Sequence, residues 1–149
     1  MKLEREIHQE KFKNDHQKLA INILFTHGWL FGKLSNIIKK KNITLSQYNI
    51  LRILRGQHPK YSTISFIKSR MLDKTPDVSR LVDRLVEKKL VERFICTEDR
   101  RRVNVTISKK GLSLLKQLDF LDDDFKKIFH NISDKEVKTV NIILDKLRD

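Results

Sequence analysis

Two short segments with the composition of β-strands interrupt a chain whose apolar pattern is otherwise helical. Val91–Cys96 is rich in β-branched and aromatic residues, and Val103–Ile107 alternates apolar with polar residues, which predicts two strands of a hairpin. Asp99 and three consecutive arginines, residues 100–102, lie between them. Like charges side by side repel one another, so this turn is either well solvated or faces an anionic partner.

Helical periodicity precedes the hairpin. Apolar residues recur at steps of three and four across residues 10–41, which predicts one long helix. Thr44 and Gln47 have the spacing of a capping box, in which each side chain satisfies a free backbone donor at a helix start. A second helix is therefore predicted to begin there, and a third over Ser62–Met71.

The fourth helix is the one with the most distinct faces. Thr75 is a suitable N-cap and Pro76 is tolerated at the first helical position, so this pair is predicted to open the helix. Steps of 100° place Val78, Leu81, Val82 and Leu85 on one face, and Arg80, Asp83, Arg84 and Glu87 on the opposite one. One side should pack and the other should meet solvent.

Two more helices are predicted from Lys109 onward, the second opened by a capping box of Ser133 and Glu136. The fold class is thus mainly α with a small β-hairpin wing. Residues 44–108 have the order of a winged helix-turn-helix DNA-binding lobe. Residues 1–41 and 109–149 flank it as helical regions, and the absence of a linker pattern in the sequence favours a single domain over 1–149.

Charge and composition narrow the function classes. A net charge of +13 points to an anionic partner. The single cysteine, Cys96, and the lack of a signal-peptide pattern favour a cytoplasmic protein, and polar residues interrupt the apolar stretch 19–38, which disfavours a membrane span. The sequence has no phosphate-binding loop, paired carboxylates or nucleophile motif, so an enzyme is not expected. Neither a cofactor nor a metal site is expected.

The run "DVSRLVDRLVEKKLVER" followed by "EDRRRVNVTISKKG" resembles the MarR family of bacterial transcription regulators, in the order recognition helix, strand, wing and return strand. The family's wing pattern maps onto Asp99, Arg101, Ser108 and Gly111. The chain departs from the family at Lys89, where many members have glycine. Lysine there must accept a left-handed or altered helix cap.

This resemblance implies a DNA-binding regulator, and the residue chemistry agrees with it. Arg80 is the leading candidate for reading a base in the major groove, because arginine can bind guanine through two hydrogen bonds. Thr75, Asp77 and Ser79 lie near the bases in the predicted helix, whereas Arg84, Lys88, Lys68 and Lys74 are predicted to hold phosphates. In the wing, the resemblance assigns Arg101 to a minor groove. Asp99 is expected to position Arg101 or to brace the turn, with Arg100 and Arg102 along the backbone.

The resemblance also implies a homodimer, formed by the terminal helices, on a pseudo-palindromic operator. Members of the family bind small aromatic or anionic effectors beside the DNA-binding lobe, which would make this chain a ligand-responsive repressor. His27, Trp29, Phe31 and Tyr48 are candidates to line such a pocket. Aromatic residues on a long apolar helix equally suit a packed core, so both interpretations stand.

Two other functions compete with a sequence-specific regulator. A non-specific nucleic-acid-binding or architectural protein would use only the basic surface. A protein-interaction module would have lost DNA binding, although the Asp99-x-Arg101 pattern argues against that. The ratio of specific to non-specific affinity separates a sequence-specific regulator from a non-specific binder.

Overall fold

A computed structural model describes the backbone of residues 2–95 and 103–149 and the side chains of all of them except 122–124. This part of the chain is mainly helical with one small antiparallel sheet, as the sequence predicts. The helices are α1 Leu3–Glu6, α2 Asp15–Lys39, α3 Leu45–Gln57, α4 Ile64–Arg70, α5 Val78–Glu87, α6 Lys109–Lys116, α7 Leu121–Ile128 and α8 Asp134–Lys146, and the strands are β1 Ser62–Thr63, β2 Val91–Ile95 and β3 Val103–Ile107.

Two compact units divide the backbone, Met1–Leu112 and Ser113–Asp149. The first holds the helices and strands of the winged helix-turn-helix pattern, from α3 to β3. The second holds the end of α6 together with α7 and α8.

Both predicted capping boxes are present. At the start of α3 the Gln47 amide nitrogen donates to Thr44 Oγ1 at 3.2 Å, and the Thr44 amide nitrogen donates to Gln47 Oε1 at 3.1 Å. At the start of α8 the same reciprocal pair joins Ser133 and Glu136. These local hydrogen bonds satisfy backbone donors that the helix itself cannot, so they fix where each helix begins.

The long first helix is shorter than predicted. It begins at Asp15 because the side chain of Asn14 accepts a hydrogen bond from the Gln17 amide at 2.9 Å, and it ends at Lys39. A separate four-residue helix, α1, precedes it. Asparagine is a strong N-cap, so the cap and not the apolar periodicity sets the boundary.

The predicted third helix, Ser62–Met71, is wrong at its first residues. Ser62 and Thr63 form strand β1, and Ser62 pairs with Val105 of β3. Thr63 then caps α4 by accepting a hydrogen bond from the Phe66 amide at 3.2 Å. A two-residue strand has no periodicity of its own, and only pairing with a distant segment defines it.

The apolar stripe predicted as one helix after the hairpin is divided between α6 and α7. Between them the Leu118 amide donates to the Leu115 carbonyl at 2.9 Å, and the Leu121 amide donates to the Leu118 carbonyl at 3.0 Å. Hydrogen bonds to the third preceding residue tighten the chain to about three residues per turn. That turn suits a spacing of three, and all three leucines are buried.

The sheet confirms the predicted hairpin strands. Its order is β1-β3-β2, with both pairs antiparallel. In β3 Val105 and Ile107 are buried while Asn104 and Thr106 are half-buried, so the predicted alternation holds. Cys96, the predicted last residue of the first strand, lies outside the described residues.

The core of the first unit lies between α3, α4, α5 and the sheet. Its most completely buried side chains, each at most 1% exposed, are Ile50, Leu51, Leu54, Ile67, Val82, Leu85 and Val105. Full burial of such a side chain contributes about 1.5–3 kcal/mol. Since α3 contacts both α4 and α5, this core fixes α5 with one face inward.

Large apolar side chains remain exposed on α2 and α8. On α2 they are Leu19, Ile23, Leu24, Phe25, Trp29 and Phe31, and on α8 they are Val140, Ile142 and Ile143, with exposed fractions between 37% and 70%. Ile38 is the only buried residue of α2, and α8 has none. A single copy therefore leaves two apolar helix faces uncovered.

Candidate nucleic-acid interface

Helix α5 begins two residues later than predicted. Its N-cap is Asp77, whose carboxylate accepts a hydrogen bond from the Arg80 amide at 3.2 Å. The predicted cap, Thr75, instead lies in a turn where its amide donates to the Asp73 carboxylate at 2.9 Å. Pro76 consequently precedes the helix and does not occupy its first position. Because the Asp77 carboxylate accepts this hydrogen bond from the helix backbone, it is less suited to contact a DNA base.

The two faces of α5 are those predicted from the sequence. Val78, Val82 and Leu85 are at most 4% exposed, and Leu81 is half-buried. The opposite face carries the exposed residues Arg80, Asp83, Arg84 and Glu87. Burial of one face holds the helix rigidly, and a rigid helix can present the other face to a groove of DNA.

The two arginines of this exposed face have no partner in the part of the chain that the structure describes. Within residues 2–95 and 103–149, no hydrogen bond or ion pair engages the side chain of Arg80 or Arg84. Ser79 beside them is half-buried. The five donors of a guanidinium suit a guanine edge or a phosphate, so both side chains are available for an anionic partner.

Asp83 differs from its neighbours because it has a partner. Its carboxylate forms an ion pair with the guanidinium of Arg93 on β2. Arg93 was not predicted from the sequence as a site residue. No local rule joins two residues ten positions apart across a helix end and a strand, so only the fold reveals this pair.

Two of the lysines assigned to phosphates are bound to the protein itself. Lys74 Nζ donates to the Ser69 carbonyl at 2.6 Å and lies 3.4 Å from the Lys68 carbonyl, where it caps the end of α4. Lys88 Nζ donates to the Asn42 carbonyl. Lys68 is exposed. Its backbone carbonyl takes part in these contacts, and its side-chain ammonium does not. Lys68 therefore remains a candidate for a phosphate contact, whereas Lys88 holds a backbone carbonyl of the protein.

Arg70, at the end of α4, is an exposed cation that the sequence analysis missed. Its guanidinium lies over the ring of Phe66, 4.5 Å from the centroid. Phenylalanine and arginine four residues apart on a helix are the signal that could have identified it. Stacking restricts the guanidinium while leaving its donors free.

The predicted wing residues Asp99, Arg100, Arg101 and Arg102 lie outside the described residues. The strands on either side of them, β2 and β3, are paired up to Ile95 and Val103.

The aromatic residues proposed for an effector pocket lie on an open surface. His27, Trp29 and Phe31 are all exposed on α2, and the rings of His27 and Phe31 are 5.9 Å apart. Tyr48 is half-buried on α3, with Arg52 at 5.8 Å from its ring centroid. Within one copy, these three α2 side chains are exposed and are not packed into the core.

Among the residues whose side chains are described, no group of histidine, cysteine and carboxylate side chains is arranged to hold a metal ion. In the same part of the chain, each helix is too short or too polar to cross a bilayer.

A model of the MarR family matches residues 43–103, the segment that contains α3, α4, α5 and the sheet up to the start of β3. This segment of the chain matches the MarR family. The match covers α5, whose exposed face carries Arg80 and Arg84, so these residues lie in the family's winged helix-turn-helix.

Solved MarR-family structures share the fold over nearly the whole chain. A MarR transcription factor from Planctomyces limnophilus is 27% identical with a TM-score of 0.71, covering 91% of this chain and 98% of its own. A mutant of Escherichia coli MarR complexed with operator DNA is 24% identical with a TM-score of 0.78, covering 93% and 99%. Bordetella bronchiseptica BpsR, whose DNA binding is regulated by 6-hydroxynicotinic acid, is 19% identical with a TM-score of 0.75, covering 89% and 99%.

Proposed function

We propose that this protein is a sequence-specific DNA-binding transcription regulator of the MarR family that acts in the cytoplasm as a homodimer on a pseudo-palindromic operator. The observation that carries the proposal is the exposed face of α5, where Arg80 and Arg84 have no partner among the described residues while the opposite face is anchored in the core. A net charge of +13 favours association with DNA of any sequence. Arg80 then supplies the selectivity, with Arg101 of the wing added in the minor groove.

The uncovered faces of α2 and α8 support the homodimer. Leu24 is 70% exposed and Ile142 is 68% exposed, and apolar surface of this extent is typical of helices that pack against another chain. A dimer also doubles the DNA contacts, which one lobe needs in order to select a site in a genome.

Sedimentation equilibrium tests the homodimer directly. The protein should have twice the mass of one chain, and Leu24→Glu or Ile142→Glu should shift it toward the monomer. Leu72→Glu is the matched control, because Leu72 is 90% exposed on the turn between α4 and α5 and outside both helix faces. A monomer at micromolar concentration contradicts the proposal.

Selection from a random DNA pool tests sequence specificity. The protein should enrich a palindromic site and prefer it to unrelated DNA by about 10³ or more at one fixed salt concentration. A non-specific binder would show steep salt dependence without that preference. Arg80→Ala should remove about 1–3 kcal/mol of discrimination. Lys68→Ala should weaken both complexes alike and reduce the salt slope by about 1.

A ligand-responsive repressor is the form of regulation we propose. His27, Trp29 and Phe31 present aromatic surface on α2, and a second copy could convert that surface into a pocket. BpsR, a structural relative, responds to a small aromatic acid. Trp29 is the only tryptophan of the chain, so its fluorescence should change as aromatic carboxylates bind and release the operator. Compounds that release DNA without altering Trp29 emission would place the effector elsewhere.

A further inference from the structure

We infer that Arg93 is a positioning residue for DNA reading, because by pairing with Asp83 it keeps that carboxylate from capturing Arg80. This inference rests on the proposed function. It assigns to β2 a part in base recognition that requires no contact between β2 and DNA.

The exposed face of α5 carries acids that compete for its own arginines. Arg80 and Asp83 are three residues apart, and Arg84 and Glu87 are also three apart. Residues at this spacing are neighbours on a helix surface, where opposite charges attract. An unengaged carboxylate at this spacing competes with DNA for the arginine.

The structure shows a different pairing. Asp83 is bound to Arg93, and the guanidinium of Arg80 has no partner within the described residues. The side chains of Arg93 and Asp83 are 33% and 50% exposed, respectively, so the pair lies at the surface beside the helix face that is proposed to enter the groove. Arginine competes well for a carboxylate because its planar group offers several donors.

Strand pairing holds Arg93 at this place. Arg93 is opposite Val105 in the sheet register, and Val105 is completely buried. Asp83 lies on a helix that is fixed by the buried side chains of Val82 and Leu85. Both ends of the ion pair are therefore carried by packed elements, which reduces the entropy lost when the pair forms.

The experiment measures affinity for the selected operator and for unrelated DNA at the same salt concentration. Arg93→Gln should lower the ratio of the two affinities by about twofold to tenfold, the range between partial capture of Arg80 and the loss of most of its base contact. Lys135→Gln removes one positive charge from helix α8, which belongs to the other compact unit, and should leave the ratio unchanged.

Two double variants separate this role from a structural one. Adding Asp83→Asn to Arg93→Gln should restore the ratio, because no carboxylate remains to capture Arg80. In an Arg80→Ala background, Arg93→Gln should not change the ratio further. Circular dichroism of each variant confirms that it is folded.

The inference is overturned if Arg93→Gln leaves the ratio at the wild-type value. It is also overturned if the Asp83→Asn double variant is as impaired as Arg93→Gln, since the ion pair would then only brace the sheet. A wild-type protein that prefers no DNA sequence would instead refute the proposed function itself, which the wild-type measurement reveals on its own.

Discussion

The hydroxyl of Ser108 donates a hydrogen bond to the carbonyl of Lys89 at 2.8 Å. The same hydroxyl oxygen accepts the Gly111 amide at 3.0 Å. At the end of α5 the Leu90 amide returns to the Leu85 carbonyl at 2.9 Å, and the Lys89 amide returns to the Val86 carbonyl at 2.8 Å. This is a Schellman motif with lysine at its left-handed position, and Ser108 ties it to the start of α6.

Lys89→Gly should stabilise the protein. Lys89 has a φ of 59°, in the left-handed region that costs a side chain about 1–2 kcal/mol. Glycine removes that cost but gains entropy in the unfolded chain, so the net increase in the free energy of unfolding should be about 0.5–1 kcal/mol. Urea denaturation measures it. Lys68→Gly, within α4, should change stability in the opposite direction, and a destabilised Lys89→Gly would contradict the prediction.

Gly111→Ala should destabilise the protein by about 2 kcal/mol or more. A Cβ at this position would lie 2.3 Å from the Leu90 carbonyl oxygen and 2.7 Å from Ile107 Cγ1, and backbone cannot move away cheaply. Gly56→Ala is the matched control. A Cβ there meets nothing within 4 Å on helix α3, so that variant should gain about 0.5–1 kcal/mol. Thermal unfolding of the two proteins should give shifts of opposite sign.

Asp77→Ala should cost about 1 kcal/mol of stability, because it removes the acceptor of the Arg80 amide at the start of α5. Asp77→Ser retains an N-cap oxygen and should recover most of that loss. Chemical denaturation of both variants measures the difference. Equal stability of the alanine and serine variants would show that the cap at Asp77 contributes nothing.

Asp73 should remain ionised to unusually low pH. The Thr75 amide and then the Thr75 side chain donate to its carboxylate, and both lower its pKa from the ordinary value of 3.8. A lowered folded-state pKa contributes stability that is fully present above the unfolded-state pKa and is lost as the pH falls through the folded one. NMR titration of the Asp73 carboxyl carbon should give a midpoint below 3.8. Between pH 5 and 8 Asp73 should add no pH dependence to the free energy of unfolding. Asp73→Asn should abolish the stability that the Asp73 carboxylate contributes and that is lost at acid pH.

Local patterns in the sequence predicted the parts of the fold that local forces determine. The capping boxes at Thr44 and Ser133 require only residues three positions apart, and the two faces of α5 follow from helical geometry. The hairpin strands were predicted for the same reason, because alternation is visible within five residues. A left-handed or altered cap at Lys89 was also predicted, from the family's glycine at that position, and the structure has the left-handed conformation.

Competing local signals and long-range contacts account for the differences. Thr75 and Asp77 are both acceptable N-caps, and only the turn at Asp73 decides between them. Strand β1 and the Asp83–Arg93 ion pair depend on residues that approach one another only after folding. The exposed arginines of the candidate site were therefore predicted from the sequence, whereas the Asp83–Arg93 ion pair beside them was not.

The short strand β1 has a consequence for the order of folding. Ser62 pairs with Val105, 105 − 62 = 43 residues later, so the pair encloses α4, α5 and the hairpin. Closing so long a loop costs entropy that two residues of pairing cannot offset. We therefore expect the helices and the hairpin to associate first. Strand β1 should pair last, at the edge of a lobe that is already assembled.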